Sequence, residues 1–196
     1  MKFIVKAFLI ALILLTVSGC QTAYYAAMEK VGQHKRDILV NKVEDANESQ
    51  QEAQDQFSSA LAHLSQLIGF DGGDLSKQYE ISNEQYESSK LIAEEVSKCI
   101  TSIESVANAL FDEWQDEIGQ FSNANFKRQS QAKYRETLAR YKSVIRAMHN
   151  AEQKMPPILT ALKDNTLYLK HNLNAQAIGA LKGEYQSIKQ DIEVLI

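Results

Sequence analysis

Apolar residues recur three and four positions apart along most of the chain, and no valine- or isoleucine-rich run alternates as a half-buried strand would. Between residues 39 and 67 the spacing is strict: Leu39, Val43, Ala46, Gln50, Ala53, Phe57, Ala60, Leu64 and Leu67, with Gln50 as the polar interruption. A seven-residue repeat held this long places a narrow stripe along a helix, so its partner must be another long helix. The grammar returns at Tyr79, Ser82, Tyr86, Ser89, Ala93, Val96, Ile100, Ile103, Ala107, Leu110, Trp114 and Glu117. This second seam is polar at Ser82 and Ser89 and apolar toward Trp114. A third carries Tyr134, Leu138, Tyr141, Ile145, Met148 and Met155, flanked by Val144 and Ala151. The last begins at Leu159, Leu162 and Leu169 and ends on Ile178, Leu181, Tyr185, Ile188, Ile192 and Leu195; run backward, it passes Asn174, His171 and Leu167.

Punctuation divides these seams. The 69–74 segment Gly-Phe-Asp-Gly-Gly-Asp supplies left-handed conformations and a capping residue, Asp74. A second reversal spans 119–125, with Ser122, Asn123 and Asn125 as candidate caps. Met155-Pro156-Pro157 interrupts the third segment, because proline lacks the N–H donor and clashes one turn back; a fresh helix or a kinked continuous one both satisfy this. Helices are therefore predicted over about 24–68, 75–118, 125–154 and 157–196. The expected fold is all-α: an elongated antiparallel, coiled-coil-like bundle of three to four long helices forming a single domain over residues 20–196, roughly 60–70 Å long by helix rise.

Residues 1–19 stand apart. Lys2 and Lys6 precede an apolar run from Ala7 to Leu15, which is too short to span a hydrocarbon core that needs about 20 helical residues. It ends in Val17-Ser18-Gly19-Cys20, which resembles a bacterial lipoprotein signal and its cleavage motif. That resemblance implies a leader cut before Cys20, a thioether-linked diacylglycerol on Cys20, and an N-acyl chain of the palmitate kind on its new amino group. Several chains hold where one binds marginally, each buried methylene contributing about 0.8 kcal/mol. Gln21, standing where Asp would favour inner-membrane retention, implies the outer membrane.

Loss of Lys2 and Lys6 would take the net charge from −4 to −6, a sign that disfavours nucleic acid as partner. With Cys20 lipidated, Cys99 has no partner within the chain; it is read as an inert, partly buried thiol, with an intermolecular disulfide as the alternative. The third segment carries Lys127, Arg128, Lys133, Arg135, Arg140, Lys142 and Arg146, whereas the first two are acid-rich, which favours their pairing.

Four stretches, Lys35 to Val40, Leu110 to Trp114, Ala147 to Leu159 and Leu169 to Ile178, together resemble a family of gammaproteobacterial lipoproteins known only as a domain of unknown function. The resemblance implies lipoprotein status and helical character. It transfers no activity, cofactor or catalytic residue.

Searches for chemistry find little. The residues three before His34, His63, His149 and His171 are Val31, Ala60, Arg146 and Tyr168, so the Glu-x-x-His pairs of a di-iron bundle are absent. No zinc signature, phosphate loop or Gly-x-Ser-x-Gly elbow occurs, and the 69–74 loop lacks EF-hand ligands. Asp112, Glu113, Asp116 and Glu117 surround Trp114; the expected role is a solvated face paired with the basic third segment, against a cation site. His34, Lys35 and Arg36, with Lys30 and Lys42, suggest either ordinary helix surface or contact with an anionic membrane. His171, Asn172 and Asn174 are expected on a packed face, fixing register, with partner contact as the alternative that requires exposure.

No catalytic, cofactor-binding or metal-binding residue is assigned, and no enzyme activity is expected. The function expected is that of an outer-membrane-anchored, periplasm-facing lipoprotein, a non-enzymatic scaffold that meets the membrane through its lipid and binds envelope proteins. A helical lipid- or ligand-handling protein is the alternative, and an enzyme with a non-standard site ranks below it. The seams either close within one chain or leave a strip for a homo-oligomer.

Overall fold

A computed structural model describes residues 24, 25, 28, 32–70, 72–172 and 175–196, with side chains for all of these except 175–177. The described residues contain no strand. The long helices are α1 (Lys35–Ile68), α2 (Leu75–Gln120), α3 (Ala124–Glu152), α4 (Met155–His171) and α5 (Ala175–Leu195). The described fold is all-α, as the seams require. The chain divides into two compact units, Met1–Lys42 with Ile103–Leu138, and Val43–Ser102 with Ala139–Ile196.

In the second unit, α1 and α2 run antiparallel. They are joined by the glycine-rich reversal: Gly73 takes φ +124°, and Asp74 Oδ1 accepts from the N–H groups of Ser76 (2.9 Å) and Lys77 (3.4 Å), capping α2 as expected. Ala46, Ala53, Phe57, Ala60, Leu64 and Leu67 are buried, so the first seam is the packed face, while Val43 is exposed. Val96 and Ile100 of α2, Met155, Ile158, Leu162 and Leu169 of α4, and Ile178, Leu181, Ile188 and Ile192 of α5 complete this core. The end of α5 is tied down twice: Lys154 Nζ donates to the Val194 carbonyl (3.2 Å), and Gln54 Nε2 donates to that of Ile196 (3.3 Å).

In the first unit, Tyr25, Ile38 and Val106 form a buried cluster with Met28, Leu39 and Ala109 against it, and Tyr25 Oη lies 2.9 Å from Ser105 Oγ. Here the second seam departs from its predicted course. The buried positions are Ile103, Val106, Ala107, Phe111 and Ile118; Leu110 and Trp114 are half-buried, and Glu117 is exposed. The stripe steps four residues from Ala107 to Phe111 instead of three. An unsupercoiled helix has 3.6 residues per turn, so an added four-step corrects the drift that a strict seven-residue repeat accumulates.

Two predicted helices are interrupted, and of the two alternatives at the prolines one is realised. The helix expected from residue 24 to 68 is interrupted: Gly32 adopts φ +83°, Gln33 N–H reaches back to the Met28 carbonyl (3.0 Å), and α1 starts afresh at Lys35. That six-to-one bond over a left-handed glycine is a standard helix stop. At 155–157 the chain restarts rather than kinks, with the prolines in the first turn of α4, where missing N–H donors cost nothing. The helix expected from 157 to 196 ends at His171: Asn172 leaves helical geometry (φ −133°, ψ 63°), its N–H turning to the Leu169 carbonyl at 3.2 Å.

Phe57 is fully buried in the α1 seam, and truncation there leaves a cavity that neighbouring alanines cannot fill. Phe57→Ala is expected to lower unfolding free energy by about 3–5 kcal/mol in urea titrations.

Candidate functional site

The second unit holds a ladder of polar side chains between α1 and α2. His63 Nε2 lies 2.8 Å from Ser82 Oγ. Seven residues earlier on α1, Gln56 Nε2 donates to Ser89 Oγ (3.3 Å) and to the carbonyl and side-chain oxygens of Gln85 (3.3 and 3.1 Å). Seven earlier again, Ser49 Oγ lies 3.5 Å from Cys99 Sγ. The rungs at His63 and Gln56 meet α2 positions seven residues apart in the opposite direction, which is the signature of one antiparallel register.

Each rung is well satisfied. Ser89 is fully buried and its hydroxyl donates to the Gln85 carbonyl (2.7 Å), so the oxygen accepts from Gln56 at the same time. The buried Thr166 of α4 donates to the Leu162 carbonyl (2.9 Å) and lies 3.3 Å from that of Ser82, bringing a third helix to the His63 rung. No fully buried side-chain nitrogen or oxygen among the described residues lacks a partner. Burial holds the His63 imidazole below its usual value. Glu152, at the end of α3, is also held low, first by a hydrogen bond from Ser97 of α2 and then by His149, whose Nδ1 lies 2.9 Å away.

The His63–Ser82 contact has the separation of a base and a nucleophile. Its surroundings are those of a packing contact: both residues sit half-buried on the α1–α2 seam, and Thr166 packs beside Ser82. Two cavities lie elsewhere. One of about 120 Å³ in the second unit is lined by Gln50, Ala53, Gln54, Phe57, Val96, Ala151, Met155 and Leu195. The other, about 280 Å³, opens on the α2–α3 hairpin of the first unit, between Gln115, Ile118, Gln131, Tyr134 and Arg135. Both fall below the roughly 300–1,000 Å³ usual for small-molecule sites.

Beside the second cavity stands Trp114. It is half-buried, parallel to Phe111 (centroids 6.5 Å apart) and edge-on to Tyr134 (5.6 Å), and its indole N–H donates to Ser130 Oγ at 3.0 Å. The indole thus anchors α2 to α3, where Asn123 caps α3 by accepting from the N–H groups of Asn125 (2.9 Å) and Phe126 (3.2 Å). In the acidic patch, Glu113 pairs with Lys35 of α1 at 3.2 Å, while Asp112, Asp116 and Glu117 are exposed.

The other residues singled out by sequence are scattered. Cys20 and the Val17, Ser18 and Gly19 motif lie outside the described residues, as do Asn174 and Lys30. His171 is exposed, which corrects its expected place on a packed face: the backward extension of the α5 seam crosses the break at Asn172 and does not continue into α4. Asn172 is half-buried and its amide donates to the Tyr168 carbonyl (2.9 Å), so it finishes α4. Cys99 is a half-buried free thiol. Among the described residues no group of three or more His, Cys, Asp or Glu could hold a metal ion, and no helix is long and apolar enough to cross a membrane.

The family model described as a protein of unknown function, DUF2959, matches residues 24–196. The chain belongs to that family. No curated protein and no solved structure matches it. DUF2959 membership agrees with the resemblance to a domain of unknown function and with helical character, and it assigns no site, so the ladder is interpreted from its own geometry.

Ser49, Gln56 and His63 were not singled out as a set by the apolar pattern. Each sits one residue before a seam position, at Gln50, Phe57 and Leu64, and polar residues there resemble a solvated flank. Their seven-residue spacing, matched by Ser82 and Ser89 on the second seam, was the available signal.

Because the folded state holds His63 low, the unfolded chain binds its proton more readily. Stability from this rung is fully present above about pH 6.5 and is lost as pH falls toward the lowered folded value. Urea titrations at pH 7.5 and 5.5 should show this loss, and His63→Gln should flatten it. In a double-mutant cycle, Gln56→Ala and Ser89→Ala are expected to couple by about 0.5–1.5 kcal/mol.

Proposed function

We propose that this chain is a periplasm-facing lipoprotein of the outer membrane, anchored through acylated Cys20 and acting as a non-enzymatic interaction protein. The observation that carries this reading is the ladder: the polar groups best placed for chemistry, His63, Ser82, Gln56 and Ser89, are bonded to one another across α1 and α2. They hold helices in place. A helical protein on a lipid tether works by position, presenting charged faces to envelope proteins near the membrane. The sequence supports the tether through the leader, the Val17-Ser18-Gly19-Cys20 motif and Gln21, together with the resemblance to gammaproteobacterial lipoproteins.

The second reading, a lipid- or ligand-handling protein, is favoured by one observation, the cavity among Ala53, Phe57, Val96, Ala151, Met155 and Leu195 with Gln50 and Gln54. Its volume of about 120 Å³ is small for a lipid, which supports the first reading. A cavity of about 150 Å³ is known to take a benzene-sized molecule, well short of an acyl chain. Native mass spectrometry of membrane-extracted protein separates the two readings, since copurifying lipid supports handling and a bound protein supports interaction.

Cys20→Ser is expected to abolish incorporation of labelled palmitate and to release a folded chain from the outer-membrane fraction. Retention of the variant in that fraction would contradict the tether.

A further inference from the structure

The reversal between α2 and α3 lies wholly within the first unit, and every residue from 119 to 126 is exposed. Phe121 and Phe126 stand on either side of the Asn123 cap, 40 % and 57 % exposed. The charge around them has one sign: from residue 118 to 135 the chain carries Lys127, Arg128, Lys133 and Arg135 and no Asp or Glu, although its net charge is −4.

Helix geometry decides which charges reach past the end of this hairpin. Every Cα–Cβ bond of an α-helix tilts toward the N-terminus. Because α3 begins at the tip, Phe126, Lys127 and Arg128 in its first turn lean outward, and Arg128 is held there by a hydrogen bond to Asn125 Oδ1. Because α2 ends at the tip, Asp116 and Glu117, the nearest carboxylates on that helix, lean back along the hairpin. Neither Lys127 nor Arg128 meets a carboxylate among the described residues.

A single exposed apolar residue is ordinary on a protein surface. Two aromatic rings beside two uncompensated cations have instead the composition of segments that lie at a lipid interface, with apolar rings in the headgroup boundary and Lys or Arg against anionic headgroups. A partner helix would read residues three and four apart on one face. Phe121 precedes α3 and Phe126 lies within it, so they share an end of the hairpin and not a helix face. A bilayer accepts both without demanding a common face.

We propose that the α2–α3 tip is a membrane-contact site that places Phe121 and Phe126 in the interface of an anionic bilayer, with Lys127 and Arg128 against its headgroups. The setting rests on the membrane location read above, whereas the contact is separate from the Cys20 tether and adds a second point of attachment.

The test uses the full chain, in a Cys99→Ser background, with Ala124→Cys carrying an environment-sensitive NBD fluorophore. It is reconstituted into vesicles of phosphatidylcholine, alone or mixed with phosphatidylglycerol, whose acyl chains are brominated to quench the label. Quenching is expected in the mixed vesicles, much less in phosphatidylcholine alone, and none for the same label at Asp112→Cys. Lys127→Ala with Arg128→Ala should lower the ratio of inserted to free tip by about tenfold or more, and Phe121→Ser with Phe126→Ser should abolish insertion, each with an unchanged helical circular-dichroism spectrum. Equal quenching in both lipids, no quenching in either, or insertion indifferent to both double variants would overturn the proposal. So would a label that shifts to the blue without being quenched, since the tip would then lie against protein. Quenching reports the depth of residue 124 and palmitate labelling reports the tether, so failure of one is told apart from failure of the other.

Discussion

A polar side chain between two helices must meet a partner at one height, and this constraint governs the α1–α2 pair. The apolar stripe alone is nearly periodic and would tolerate sliding. A slip of one heptad in one direction would bring His63 to Ser89 but set Gln56 against Val96; in the other direction it would bring Gln56 to Ser82 but set His63 against Leu75. Either slip leaves a rung unsatisfied, at about 1–3 kcal/mol for each buried group. The native bonds themselves contribute less, about 0.5–1.5 kcal/mol each. Specificity therefore comes from what the wrong registers lose. Thr166 extends the constraint to α4 through its contact with the Ser82 carbonyl.

The same arrangement gives a structural role to one of the chain's four histidines and to hydroxyl residues at its seams. His63 and Ser82 face one another across the α1–α2 pair. The anchoring role of Trp114 is similar in kind. Its indole bridges α2 to Ser130 of α3 and stacks with Phe111, so an aromatic residue set among carboxylates serves the hairpin.

Much of this was legible in the residues, and the losses have physical causes. The α1 stripe from Ala46 to Leu67 and the polar seam residues Ser82 and Ser89 could be read directly, because a seven-residue repeat maps onto one face for as long as it lasts. Past Ile103 the repeat stops matching the helix, and a pattern drawn at three and four drifts off Phe111 and Ile118 onto Leu110 and Glu117. Interruptions at Gly32 and Asn172 were missed because each is a single residue whose backbone angles end a helix while the apolar spacing around it continues. His171 was misplaced for the same reason. The ladder on α1 hid in plain polar residues, since Ser49, Gln56 and His63 carry no hydrophobic signal and acquire meaning only opposite Ser82, Ser89 and Cys99.

Disulfide trapping measures the α1–α2 register most directly. In a Cys99→Ser background, Gln56→Cys combined with Ser89→Cys should close an intramolecular disulfide rapidly under mild oxidation. Gln56→Cys combined with Ser82→Cys, one heptad away, should not. Equal trapping of both pairs, or preferential trapping of the second, would show that the helices occupy another register or several, and would contradict a ladder that fixes the fold.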